Sequence, residues 1–260
     1  MAPDQIADEL ARYPLTGRFL MGRVRHALRE REKELIESMV ERTESFAAPH
    51  TVVERGQRLD QSTIVIEGMV ARVVPRKRAR HIVGLHMAGD FVDLHGYALK
   101  RLDHHLVTLG PARLGYVPHE RLRALLSQEP HLARLLWFAT LLDAAIHREW
   151  IVTLEQHTAD ARLAHLLAET WCRLDFVSLA DKDGFDLPLN QIELSNACGT
   201  TTVHMNRTVR TLRESGVAVI RRGRVTIPDR TKLNTLGGFE PSYLYGEGAL
   251  RIGDELSNGD

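Results

Sequence analysis

Residues 189–216, LNQIELSNACGTTTVHMNRTVRTLRESG, decide the reading of this chain. They read as two short helices joined by a tight turn. Ile192, Leu194 and Ala197 give the first helix an apolar side. Gly199 ends it, because glycine takes the positive φ of a helix C-terminus without steric cost. The threonine run 200–202 offers an N-cap for the second helix. In that helix Val203, Val209 and Leu212 are expected to face inward, and His204, Asn206, Arg207 and Arg210 outward. Gly216 ends it. The next stretch, VAVIRRGRVTIPD, holds two β-rich runs around Arg222-Gly223 and reads as a hairpin. A helical hairpin in an unrelated core would share the first half of this pattern. It would not need a one-sided set of base- and phosphate-contacting side chains. Nor would it need a basic hairpin carrying Arg221, Arg222 and Arg224 where a phosphate backbone would lie. Helix–turn–helix followed by such a hairpin has the form of a winged DNA-binding module.

The remaining sequence bounds what surrounds that module. The 260 residues suffice for one large or two modest domains. Formal net charge is zero, so nucleic-acid binding has to come from a local patch, and residues 203–230 are clearly basic. No apolar run approaches the ~18 residues of a membrane span, and no apolar h-region marks a secretory signal, so a cytoplasmic location is expected. Cys172 and Cys198 form no metal-spaced motif. Two cysteines fit a reducing compartment and exclude a four-cysteine iron–sulfur cluster within one chain.

Taken in order, residues 1–28 have weak periodicity and read as a partly ordered arm. Residues 29–43 place Leu35, Ile36, Met39 and Val40 on one side of a charged helix. The texture then changes to short strands at 51–53, 63–66, 69–74, 81–85, 106–109 and 113–117, separated by frequent turn residues. No long helices intervene, which argues for a β-sandwich or β-roll over 29–128. A short helix follows Pro118. The pattern at 129–158 is one long helix with Leu135, Leu136, Ala139, Leu142, Ile146 and Trp150 recurring at three- and four-residue spacing. It has more apolar positions than one small domain covers, so these residues are expected to form a homodimer seam. Thr158 or Asp160 can cap the next helix, which opens a DNA-binding domain at 159–231, with a hinge near 157–160. The polar stretch 176–188 reads as a loop and 232–260 as a tail. The fold class is therefore α+β.

This order of parts resembles the Crp/Fnr superfamily of bacterial transcription regulators. The most specific pieces are Ala161-Arg162-Leu163-Ala164, the run from Gly199 to Arg207, and Leu212, Gly216 and Asp229 downstream. GDFVDLH at 89–95 and LLDAAIHREW at 141–150 look like a FixK-like or related alphaproteobacterial branch. The resemblance implies an N-terminal cyclic-nucleotide-binding-like β-roll, a dimerisation helix and a C-terminal winged helix-turn-helix. It also implies a palindromic duplex as ligand and RNA polymerase as partner.

Two departures matter. In cyclic-AMP receptors the roll carries a Gly-Glu pair and then Arg-Ser or Arg-Thr. Alignment on Gly89-Asp90-Phe91 puts Asp93-Leu94 at the first pair, with Asp103, His104 and His105 near the second. Leucine accepts no ribose hydrogen bond, and neutral histidine replaces a bidentate arginine poorly, so tight cyclic AMP binding is not expected. Asp93, His95, Lys100, Arg101, His104 and His105 are the candidate lining of an effector pocket. Second, a glutamate that often reads a G in relatives matches Val203 here. Arg207 matches an arginine that contacts base or phosphate. His204 and Asn206 are further base-reading candidates, and Thr201 and Thr202 candidate phosphate ligands at the helix N-terminus.

His81, His86, His95, His104 and His105 all fall in the roll. Clustered histidines can ligate a metal or haem, but their spacing matches no ligand motif, and no cofactor is predicted. An alternative function is a metal, haem or small-molecule sensor that acts through protein docking. No nucleophile–base constellation or phosphate loop supports an enzyme.

Overall fold

The computed structural model describes residues 3–76 and 79–247. The described residues divide into two compact units, one built from 3–72, 85–144 and 245–247, the other from 73–76, 79–84 and 145–244.

The helices are α1 (Pro3–Arg12), α2 (Glu30–Met39), α3 (Gly96–Leu99), α4 (His119–Gln128), α5 (Pro130–Gln156), α6 (Ala159–Phe176), α7 (Gln191–Ala197), α8 (Thr202–Glu214) and α9 (Arg230–Gly237). The strands are β1 (Arg42–Phe46), β2 (Thr51–Val53), β3 (Gln61–Glu67), β4 (Met69–Arg76), β5 (Ala79–Met87), β6 (His105–Thr108), β7 (Ala112–Pro118), β8 (Ala180–Asp181), β9 (Gly184–Asp186), β10 (Val219–Arg221) and β11 (Arg224–Thr226).

In the first unit one sheet runs β1-β7-β3, with both pairs antiparallel, and the roll's other sheet is ordered β2-β6-β4-β5. Val53, Val65, Val70, Leu106 and Leu114, drawn from both sheets, share one core. The next residue along from Val65, Ile64, turns to the other face of β3. There it joins a helical layer with Ile36, Met39, Leu122, Leu125, Leu132 and Leu135. A strand covered on both faces has no solvent side to mark with polar residues, which is why Ile64, Val65 and Ile66 are apolar in succession.

The segment read as a partly ordered arm belongs to this unit's core. After α1, Tyr13, Phe19, Leu20, Met21, Val24, Ala27 and Leu28 are all buried. The chain lies so close over the β5 turn that a Cβ on Gly89 would sit 2.4 Å from the Arg18 carbonyl oxygen, and Gly89 holds φ 97° there. Arg25, 2% exposed, is held by Glu9 at 2.7 Å and donates to the Thr16 and Phe19 carbonyls. Irregular turns have no period, so the pattern of buried residues was invisible in the sequence.

In the second unit, Thr158 caps α6, its Oγ1 accepting from the Ala161 N–H. α6 buries Leu163, Leu166, Leu167 and Trp171, and α9 packs along it, with Leu233 and Phe239 buried. Residues 230–247 are therefore structured, and only 248–260 of the expected tail lie outside the described residues. Within the stretch read as a loop, β8 and β9 form a hairpin that extends the sheet to β10-β11-β9-β8. The expected hinge at 157–160 is braced: Arg162 donates to the carbonyls of Leu154 and His157, the latter at 2.9 Å. Buried Glu169 accepts from Trp150 Nε1 on α5 at 3.0 Å and from the Tyr243 hydroxyl at 2.8 Å. The last three turns of α5 thus belong to the same body as α6.

Candidate nucleic-acid interface

α7 is capped reciprocally. Asn190 Oδ1 accepts from the Ile192 and Glu193 N–H groups at 2.9 and 3.0 Å, and the Glu193 carboxylate accepts from the Asn190 N–H at 2.8 Å. After Cys198 the chain turns at Gly199, φ 59°, where a Cβ would press within 3.0 Å of Leu154. Arg162 reaches this turn as well, donating to the Cys198 and Gly199 carbonyls at 3.3 and 3.4 Å. One guanidinium thereby serves the C-terminal ends of α5 and α7, where carbonyls are orphaned and the dipole is negative. The sequence marked Arg162 only as part of a motif and gave no hint of this bracing.

α8 starts at Thr201, whose Oγ1 accepts from the His204 N–H at 3.2 Å. Met205, Thr208 and Leu212 face the core. His204, Asn206, Arg207 and Arg210 are exposed, and Thr202 is half-buried with its hydroxyl 3.3 Å from that of Ser195. Two inward assignments are corrected. Val203 is 65% exposed and Ile192 60%, because Met205 and Leu194 occupy the inward positions of their helices.

β10 and β11 pair Arg221 with Arg224 across a two-residue turn. Arg222 and Gly223 have φ 50° and 78°, the left-handed pair that matches strand twist in a tight hairpin. Arg221 and Arg222 are exposed and have no ion-pair partner among the described residues. Arg224 is different, and its assignment as a phosphate ligand is corrected. It bonds Asp181 on β8 and Asp186 on β9, the latter at 3.3 Å, and those bonds raise its pKa further. A guanidinium already neutralised by two carboxylates has little left for phosphate.

Residues 161–236 match the model of the Crp-like helix-turn-helix domain. A probable transcriptional activator of Rhizobium leguminosarum bv. viciae is 28% identical over 188 residues, covering 71% of this chain and 77% of the relative. The transcriptional activator protein FnrL of Cereibacter sphaeroides is 29% identical over 182 residues, covering 68% and 72%. The structure of FixK2 from Bradyrhizobium japonicum superposes with a TM-score of 0.69 at 18% identity, over 76% of this chain and 98% of that one. Residues 161–236 thus carry a Crp-like helix-turn-helix domain, and over about two thirds of its length the chain is similar to transcriptional activators. Its relatives regulate transcription, and no enzyme family is indicated.

The roll is not lined as the cyclic-nucleotide cassette of cyclic-AMP receptors would be. Asp93 is fully buried, accepting from the Thr63 N–H at 2.5 Å and from the Thr63 hydroxyl at 3.0 Å. Burial pushes its carboxyl up to about 7, against the pull of those hydrogen bonds and of Arg72. Arg72, missed in the sequence, is 4% exposed; it donates to the Val92 carbonyl and pairs with Asp143 of α5 at 2.5 Å. Nearby, the His95 and His104 rings lie 5.8 Å apart. Burial first and Arg72 second hold His95 down to about 4, and burial lowers His104 although Asp103 bonds its Nδ1 at 2.7 Å.

The other candidates for that pocket point elsewhere, which corrects their assignment to one lining. Lys100 and Arg101 are exposed, donating to the carbonyls of Tyr97 and Gly56. His105 accepts from the Arg55 N–H at 3.1 Å, and His81 is exposed. Among the described residues no three His, Cys, Asp or Glu side chains are grouped to hold a metal. No helix of the described residues is long and apolar enough to cross a membrane.

On α5, Leu135, Leu136, Leu142, Ile146 and Trp150 are buried within the chain and Ala139 is half-buried. The seam assignment is corrected for the five buried residues, because a side chain already buried in its own protomer has little surface to give a second one, whereas Ala139 keeps part of its surface. The apolar residues that α5 leaves in solvent are Trp137, Leu141, Ile151, Val152 and Leu154.

Proposed function

We propose that this regulator acts as a homodimer that reads a palindromic duplex, laying α8 of each protomer in the major groove of half-sites about one helical turn apart. The observation that carries this reading is the one-sided exposure of His204, Asn206, Arg207 and Arg210 on α8, beside Arg221 and Arg222 of the wing, which are exposed and have no ion-pair partner among the described residues. Arg207 and Asn206 have the donor geometry for guanine and adenine edges, with His204 as a further base contact. Arg210, Arg221 and Arg222 would take phosphates, and Thr201 and Thr202 a phosphate at the N-terminus of α8.

For the seam, α5 offers positions 137, 141, 144, 148 and 151 at alternating spacings of four and three. They are Trp137, Leu141, Ala144, Arg148 and Ile151, and such spacing supports a left-handed helix pair. The roll serves as the sensor of an unidentified signal or as a scaffold. Tight binding of cyclic AMP is not expected, because Arg72, whose charge acts on Asp93 and His95, is committed to Asp143. RNA polymerase is the expected protein partner.

The test is selection of bound duplexes from a random pool by the purified protein, with and without metabolite extract. Enrichment of a palindrome, bound with steep loss of affinity on adding salt, is the expected result. Dependence on extract would assign the roll a ligand. Absence of enrichment in both arms would overturn the DNA-reading assignment in favour of a protein-docking one.

A further inference from the structure

Val203 is the odd member of the exposed face of α8. It is 65% exposed in the helix's first turn. The other fully exposed residues of the first two turns, His204, Asn206 and Arg207, are polar. Arg207 stands four residues further on, over the same side of the helix. No room exists for Val203 beneath the helix, because Met205, Thr208 and Leu212 already fill that side. An isopropyl group is thus presented, among polar and cationic side chains, at the end of a recognition helix where side chains meet base edges. Four base pairs offer donors and acceptors on the major-groove floor, and the one apolar group there is the C5 methyl of thymine. A β-branched side chain suits such a contact, since its χ1 is nearly fixed in a helix and little rotamer freedom is lost.

We propose that Val203 is a specificity-determining residue, selecting thymine at one position of each half-site by packing its methyl groups against the C5 methyl. This rests on the reading of α8 as the base-contacting helix. The valine replaces the hydrogen-bonding glutamate of relatives with apolar recognition. Cytosine is rejected at that position because its amino group would be stripped of water and left without an acceptor.

The experiment starts from the duplex that selection enriches. Each thymine is replaced in turn, symmetrically in both half-sites, by deoxyuridine, which keeps every hydrogen-bonding group and removes only the methyl. The wild type is expected to lose affinity about fourfold per half-site at one position, the worth of one buried methyl. Val203→Ser should bind the thymine and uracil duplexes equally, while Arg207→Ala, weaker on both, keeps the uracil penalty. Specific binding by the wild type with no uracil penalty at any thymine overturns the role of Val203 and leaves the DNA-reading helix standing. Failure to enrich any duplex overturns both.

Discussion

The interior of the β-roll and the outer face of the winged helix both carry arginines, and they treat them in opposite ways. Arg72 is buried against Asp143 and the Val92 carbonyl, and Asp93 beside it is held by both donors of Thr63. Arg207, Arg221 and Arg222 stand in water with no ion-pair partner among the described residues. Burying a charge costs several kcal/mol unless a partner is supplied, so interior charges occur as sets. An exposed guanidinium carries no such cost and keeps its charge for an anion that arrives later. The roll's polar groups are therefore committed to the fold, whereas those of α8 and the wing are held in reserve. Substitutions in the first set should move stability, and those in the second should move DNA affinity.

The largest effect belongs to the ion pair. Asp143→Ala leaves the Arg72 guanidinium buried and unpaired, and should cost about 3 kcal/mol. That is the low end of the range for buried pairs, since the Asp143 side chain keeps 22% exposure. Urea titration should show a lower midpoint with an unchanged slope. A midpoint equal to that of the wild type would mean that the interior set is no more committed than the surface one.

Next come the titrating members of the same set. Asp93 is raised to about 7, so between roughly pH 4 and 7 the folded protein binds a proton that the unfolded chain releases. Its contribution to stability is present at low pH and is lost as pH rises through 7. His95 is lowered to about 4, so the folded protein holds fewer protons than the unfolded chain between about pH 4 and 6.5. Its contribution is present above that window and is lost as pH falls through 4. Each slope approaches about 1.4 kcal/mol per pH unit where its group is fully shifted, and the two oppose each other. Relative to the wild type, Asp93→Asn should therefore gain stability as pH rises across the window. It keeps an acceptor for the Thr63 N–H. His95→Gln should lose stability over the same range. Denaturation at pH 4.5 and 6.5 reads both differences, and parallel profiles for the three proteins would contradict the assignment.

This division was only half legible in the sequence. Gly199, the threonine run 200–202 and the Arg222-Gly223 turn declared α7, α8 and the wing, because helix ends and tight turns are local chemistry, whereas the Asn190–Glu193 capping box, equally local, went unread. The roll was legible from turn spacing. The Arg72–Asp143 pair was not, since 71 residues separate partners that carry no motif. Nor did the sequence separate the two apolar sides of α5. Leu135 and Trp137 read alike, and only tertiary packing buries one and leaves the other in water. Val203 was misassigned for the same reason: the rule that apolar residues face inward fails where a surface is shaped for a partner. The β8–β9 hairpin escaped because its strands are two and three residues long.

On the reserved face, Arg207→Ala should weaken binding to the selected duplex by about 1–3 kcal/mol and relax preference at one base position. Its melting temperature should stay that of the wild type, since the side chain is exposed and has no ion-pair partner among the described residues. A shift in melting with no change in base preference would assign Arg207 to the fold instead.

The smallest effect is the sharpest test, because it divides one hairpin. Arg222 and Arg224 lie two residues apart, yet among the described residues it is Arg224 alone that is tied to carboxylates, those of Asp181 and Asp186. A phosphate contact releases a counterion and adds about 0.9 to the slope of log affinity against log salt, whereas an internal ion pair adds none. Arg222→Asn should reduce that slope by about one per protomer while weakening all sequences alike. Asparagine is the suitable replacement because position 222 holds φ 50°, a conformation that asparagine tolerates. Arg224→Gln should leave the slope unchanged and loosen the β11–β9 edge, which hydrogen exchange would detect. Were the two variants to lower the salt slope equally, Asp181 and Asp186 would have to yield Arg224 to the duplex. The wing would then be a surface that DNA rearranges instead of one the fold prepares.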